Sequence, residues 1–278
     1  QTYAEEALTE HLSQNLQPVF DKRAKNYRNP PYSNDLTTAQ VNQIMARSVR
    51  QSDRYQSMRR AGVPEDSITL AFNTPVPMKL FSWEGERDTV MTPLDSIRYY
   101  KFFVRSAFMA MDPHTGHVKA YIGGPDFRYF KYDAVTQQKK QVGSTIKPLL
   151  YCLAVDNGNS PCQSISLNPV MFPGFGYYGP DKSRGAMPMK KALAYSKNNA
   201  TVNILKLVGI QAFVDFLRRL GITTSNLHAY PSICLGADDI SVIEMLRAYA
   251  MFPNYGINTQ PIYITRIEDR NGNVLENF

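Results

Sequence analysis

Capped helical runs, set among strand pairs joined by tight turns, are compatible with an α+β fold for this chain of 278 residues. Three observations carry that reading. Thr37-x-x-Gln40 and Ser241-x-x-Glu244 are capping boxes, and Thr92-Pro93-Leu94-Asp95 combines a cap, a proline and a first-turn acid. Ala107–Met111 and Val118–Ile122 read as strands joined through a Pro and Gly turn, so His114 and His117 are turn and strand-edge residues. An apolar helix begins in mid-chain, just after Gly143.

Taken in order, Tyr3–Lys25 has helical periodicity with Leu8, Leu12, Leu16 and Val19 or Phe20 inward. Tyr27–Asn34 holds Pro30-Pro31 and reads as a loop. Thr38–Arg60 is expected as one helix with a thin apolar stripe, and a short helix follows Pro64. Pro75–Trp83 alternates like a strand, with Trp83 as a packing anchor. The helix opened by Thr92 is expected to run to about Arg105. Asp126–Lys140 is a surface approach, and Asn159–Lys191 is a long aromatic loop that either lines a site or packs on the domain. Met189–Tyr195, Ala200–Val208 and Gln211–Leu220 are helical, as is the stretch from Ser241 to about Phe252. Pro261–Glu268 is a strand that Asn271-Gly272 turns back into Asn273–Leu275.

The chemistry-bearing text is Gly143-Ser144-Thr145-Ile146-Lys147-Pro148. Ser144 falls at the mouth of the apolar helix, and Lys147 lies on the same face one turn on. Burial disfavours an ammonium, so the Lys147 pKa is expected to fall. A neutral amine beside a hydroxyl is a base beside a nucleophile, and the helix N-terminus suits a developing oxyanion. About fifty residues on stands Tyr195-Ser196-Lys197-Asn198, a Ser-x-Asn triplet between two helical patterns. Ser196 can relay a proton, and Asn198 can hold an amide with donor and acceptor together. Ser13-Gln14-Asn15 and Ser166-Leu167-Asn168 match the bare triplet but lack that setting.

These motifs resemble the transpeptidase part of a bifunctional, class A penicillin-binding protein. The matching text includes Gln141–Pro148 and Ala192–Asn198, with Met111–Gly116, Ala120–Gly124 and Ile264–Asp269 around them. The resemblance implies the penicillin-binding protein transpeptidase or serine β-lactamase-like fold: an antiparallel sheet flanked by helices, with the Ser144 helix central. It implies a mostly helical linker region over residues 1–91, following a glycosyltransferase domain in the family, and a transpeptidase domain over 92–278. Ser144 is then the nucleophile, Lys147 the base and Ser196 a proton relay, and Asn198 binds the acyl donor. The substrates implied are D-Ala-D-Ala stem peptides of peptidoglycan, with β-lactam antibiotics as covalent mimics and no metal or organic cofactor. The implied place is the bacterial cell envelope, at the extracytoplasmic face of the cytoplasmic membrane. The parent protein is membrane-anchored there, with cell-wall synthesis proteins as candidate partners. The family's third motif, Lys-Thr/Ser-Gly on a core strand, is missing here; His114-Thr115-Gly116 resembles a variant of it but precedes Ser144 in a turn. A chain without that motif is expected to be a poor enzyme alone, with an open sheet edge or a second segment completing the sheet. Two other readings stay open: a β-lactam sensor or β-lactamase on the same fold, and a non-catalytic interaction module.

Composition adds little against this. A formal net charge of +7 could suit an anionic membrane surface or polymer, but ordinary solubility charge spread over helix faces is the favoured reading, and no motif points to nucleic acid. No run reaches the apolar length of a membrane span, and the chain does not begin with Met, so a soluble piece of a longer protein is expected. Cys152 and Cys234 read as core thiols; a Cys152–Cys162 disulfide is the alternative in an oxidising compartment.

Overall fold

The computed structural model describes residues 1–278 and divides into two compact units. One comprises residues 2–106 with 124–131; the other comprises residue 1, 107–123 and 132–278. The division falls after Ser106, whereas the resemblance implies a boundary at Thr92. The physical reason is the helix Pro93–Lys101, which packs on the helices Thr38–Gln51 and Glu65–Asn73 of the first unit.

In the first unit the opening helix is continuous but changes its winding. Thr2–Glu10 and Gln17–Ala24 are α-helical, and His11–Leu16 between them is a π turn. A π turn holds more residues per revolution, so it rotates the face that follows. Leu12 is buried as expected, but Leu16 and Val19 turn outward and Gln17 takes the inward place. Its amide donates to Phe102 O at 2.8 Å and accepts from Val104 N–H at 2.9 Å, which makes the buried polar group tolerable. The long helix expected over Thr38–Arg60 breaks at Ser52. Extended backbone there lets the Ser52 hydroxyl accept from Tyr55 N–H and open a second helix, Asp53–Arg60. The Thr37–Gln40 capping box is formed. Val76–Ser82 is a strand as expected, and it pairs antiparallel with Gly85–Met91, a strand the sequence pattern does not signal. Trp83 sits in the turn between them, edge-on to Phe81 at 5.3 Å.

In the second unit the strands pair antiparallel two by two. Phe108–Met111 pairs with Val118–Ile122, and Lys139–Gln141 with Asp239–Ser241. The stretch Asn159–Lys191 is not one loop: Ser164–Ser166 pairs with Ala186–Pro188, and Val170–Phe172 with Gly176–Tyr178. The core is helical. The helix Lys147–Asp156 packs on Asn198–Val208, Ile210–Arg219 and the 3-10 turn Pro231–Leu235. Leu149, Leu150, Ala154, Ile204, Leu205, Phe213 and Leu217 close that core. No single helix is long and apolar enough to cross a membrane; the pair Asn198–Val208 and Ile210–Arg219 is bent by 90°. All three cysteines are free thiols, Cys234 buried and Cys162 exposed.

Candidate active site

Three chain segments meet around Lys147. The first is the entry to its own helix. Gly143–Ile146 forms a 3-10 turn, and the Lys147 N–H bonds back to Ser144 O. Positions i and i+3 eclipse in a 3-10 turn, so Ser144 and Lys147 lie one above the other. Ser144 is exposed at the mouth, whereas Lys147 is 1 % exposed. Gly143 starts the turn at φ +56°, a left-handed value that favours glycine.

The second segment is the link between the helices Met189–Ala194 and Asn198–Val208. Ser196 N–H donates to Leu193 O and Lys197 N–H to Ala192 O, both at 2.9 Å. This is a Schellman closure, whose left-handed position is usually glycine. Here that position is Ser196, at φ +50°. A non-glycine residue held there stores backbone strain, a feature found at sites where a side chain must be aimed. The closure points Ser196 at Lys147 and lets Asn198 begin the next helix.

The contacts are direct. Lys147 Nζ donates to Ser196 O at 2.8 Å, to Ser196 Oγ at 3.0 Å and to Asn198 Oδ1 at 2.6 Å. An ammonium has three N–H groups, and all three are used. Burial nevertheless lowers the Lys147 pKa, because the charged form loses more hydration than these partners restore. Thus Lys147, Ser196 and Asn198 are brought into one hydrogen-bonded cluster. Ser144 is stacked beside it through the backbone, without a side-chain bond to Nζ.

The third segment has no place in the site that the motifs define. The 3-10 turn Pro231–Leu235 ends at Gly236, whose carbonyl accepts from Gly143 N–H at 3.0 Å. A Cβ on Gly236 would lie 2.0 Å from Gly143 O and 2.5 Å from Gly143 N, and its φ of +73° is itself left-handed. Close backbone approach therefore fixes the start of the serine turn. Cys234, just before it, is buried against the lysine pocket, and burial pushes its thiol up to about 12. Tyr249 Oη donates to Thr145 O, pinning the same turn from the helix Val242–Ala250. The sequence signal for this segment is faint: Leu235-Gly236-Ala237 reads as a helix stop, and nothing local names its partner.

Residues 106–277 match the family profile of the penicillin binding protein transpeptidase domain, and residues 27–104 that of the penicillin-binding protein middle domain. The chain therefore belongs to the penicillin-binding proteins. It is 30% identical over 277 residues to penicillin-binding protein 2D of Bacillus subtilis, covering 95% of this chain and 39% of that protein. It is 35% identical over 179 residues to penicillin-binding protein 1A of Rickettsia typhi, covering 62% of this chain and 23% of that protein. The crystal structure of penicillin-binding protein 1A from Haemophilus influenzae superposes with a TM-score of 0.62 at 21% identity. It covers 99% of this chain and 45% of that one, and the likeness is one of fold. The chain thus spans less than half the length of these three relatives. The names of the two sequence relatives accord with the class A resemblance carried by the motifs.

Proposed function

We propose that this site performs serine acyl transfer on D-Ala-D-Ala stem peptides, cross-linking peptidoglycan, and that β-lactams trap it as a stable acyl-enzyme. The observation that carries the reading is the buried Lys147, depressed in pKa, bonded to Ser196 and Asn198 and stacked on the exposed Ser144. A neutral amine has two N–H groups and one lone pair. Nζ then keeps two of its three acceptors and turns the lone pair toward a hydroxyl. Ser144 Oγ attacks the penultimate carbonyl as its proton passes to Lys147. The Ser144 N–H faces the developing oxyanion. Ser196, already on Nζ, returns the proton to the departing D-alanine, and Asn198 holds the donor's amide. A second stem amine attacks the ester and releases Ser144. These steps draw on side chains and backbone alone.

The place of action in this reading is the cell envelope, at the extracytoplasmic face of the cytoplasmic membrane, as part of a membrane-anchored parent working with other cell-wall synthesis proteins. The test is release of D-alanine from a synthetic D-Ala-D-Ala stem peptide, together with transfer to an added amine acceptor. Wild type should give an acyl intermediate and a transferred product, both absent in Ser144→Ala. Release by Ser144→Ala at the wild-type rate would refute the reading.

A further inference from the structure

Next to Asn198 stands Asn199, fully buried and placed in the first turn of its helix. Its side chain binds out of the helix. Nδ2 donates to Leu167 O at 2.8 Å, Asp181 O at 3.0 Å and Ser183 O at 3.3 Å, while Oδ1 accepts from Asp181 N–H at 3.2 Å. Asp181 answers in kind: Oδ2 accepts from Asn199 N–H at 3.3 Å, and Oδ1 from Ser183 N–H at 2.8 Å. A carboxylate thus satisfies a first-turn amide that the helix leaves unpaired, at the positive end of its dipole. Lys197, the residue before that helix, offers no side-chain cap of its own.

We propose that Asn199 and Asp181 are positioning residues of the Lys147 site: Asn199 clasps residues 181–183 against the start of the Asn198 helix and so keeps the Asp181 carboxylate beside the lysine pocket. Two consequences follow from the geometry. The clasp fixes Asn198, whose Oδ1 is the nearest acceptor of Nζ. It also holds the Asp181 carboxylate on the amide next to Asn198, from where its charge favours the protonated lysine. Besides Asp181, one titratable group acts on Lys147 from another element, Cys234, and it is uncharged at neutral pH. Cys234, from the turn Pro231–Leu235, is pushed by burial up to about 12; Tyr151, on the lysine's own helix, is likewise pushed by burial up to about 12, with Cys234 adding to the rise. Burial works to raise the Asp181 carboxyl as well, but hydrogen bonds from Ser183 and Asn199 outweigh it and hold it low, so it is an anion. Lys197 lies near Asp181 and favours the same anionic form. Asp181 accordingly opposes the desolvation that lowers Lys147, and so limits how far its proton affinity falls.

The inference rests on the acyl-transfer reading, in which the acid limb of the acylation rate follows deprotonation of Lys147. The experiment is stopped-flow acylation by a fluorescent penicillin over a pH series, for wild type, Asp181→Asn and Asn199→Ala, with a thermal melt of each. Asp181→Asn keeps the side-chain shape and removes the charge, so its acid limb should move to lower pH. Asn199→Ala releases the clasp and should move the limb the same way, with a plateau reduced roughly tenfold. An acid limb at the wild-type pH in a folded Asp181→Asn protein would overturn the role of the carboxylate. A limb that moves in Asp181→Asn but not in folded Asn199→Ala would overturn the clasp. Absence of labelling in the wild type, assayed within the longer parent protein, refutes the acyl-transfer reading itself and is thereby told apart from both.

Discussion

Lys147 Nζ lies 2.6 Å from Asn198 Oδ1, and with Ser196 supplying two further acceptors every N–H of the ammonium is engaged. The lysine is therefore held by the Ser-x-Asn segment while its backbone belongs to the Ser-x-x-Lys turn. The two motifs act as one unit because a single buried side chain joins them.

Lys147→Arg tests the need for a neutral base. Guanidinium does not deprotonate, and the larger group strains a pocket filled by a lysine. The variant should fold with a stability loss of about 1–3 kcal/mol. Its acylation rate should fall on the order of 10²–10⁴-fold, the range for losing a positioned base. Fluorescent penicillin labelling alongside a thermal melt reads both; near-normal acylation in a folded protein would remove Lys147 from the base role.

Ser196 separates stability from function. Its φ of +50° in a Schellman closure suits glycine, so Ser196→Gly should stabilise the chain by about 1 kcal/mol relative to Ser196→Ala. Both variants lose the hydroxyl that Nζ contacts, and both should acylate on the order of 10²-fold more slowly. Denaturant midpoints that rank Ala above Gly would contradict the account of strain.

Gly236→Ala should be costly although Gly236 is far from Ser144 in sequence. The new Cβ would lie 2.0 Å from Gly143 O, where backbone rather than a flexible side chain must yield. A loss of roughly 3 kcal/mol is expected, with slower acylation in whatever folds, because the serine turn is displaced. A melting temperature equal to wild type would show that the two glycines do not constrain each other.

Much of this is legible in the chain. The caps at Thr37, Thr92 and Ser241 mark helix starts, and the hydroxyls at those positions do bond to the first turn. The apolar run after Ser144 marks the buried helix. Gly85–Met91 escapes notice because its charged, exposed residues show no apolar alternation. The ladders within Asn159–Lys191 have strands of three residues, too short for a period of two to register. Gln17 escapes because a π turn shifts the helix face, a change that periodicity does not carry. Within the site, the residue types and spacing name Ser144, Lys147, Ser196 and Asn198. The approach of Gly236 to Gly143 and the Asn199–Asp181 clasp arise from contacts between distant segments, which no local pattern encodes.

Glu244 gives the fold a pH signature. Burial alone would raise its carboxyl, but hydrogen bonds from Ser225, Ser241 and Thr224 outweigh that and lower it from 4.5 to about 2. Because the folded pKa is the lower one, the stabilisation is complete above the unfolded value of 4.5. It is lost as the pH falls toward about 2. The effect is on the order of 3 kcal/mol, since a tenfold change in proton affinity corresponds to about 1.4 kcal/mol. Urea unfolding across that window should show the loss in wild type and a flatter profile in Glu244→Gln, which starts less stable.

The central claim is that Ser144 is the nucleophile of a lysine-assisted acyl transfer, and the most direct measurement is peptide-mapped mass spectrometry of the penicillin-treated protein. The account predicts one covalent adduct, on the peptide containing Ser144 and localised to that residue, abolished in Ser144→Ala and strongly slowed in Lys147→Arg. An adduct on Ser196, or one that survives Ser144→Ala at the same rate, would contradict it.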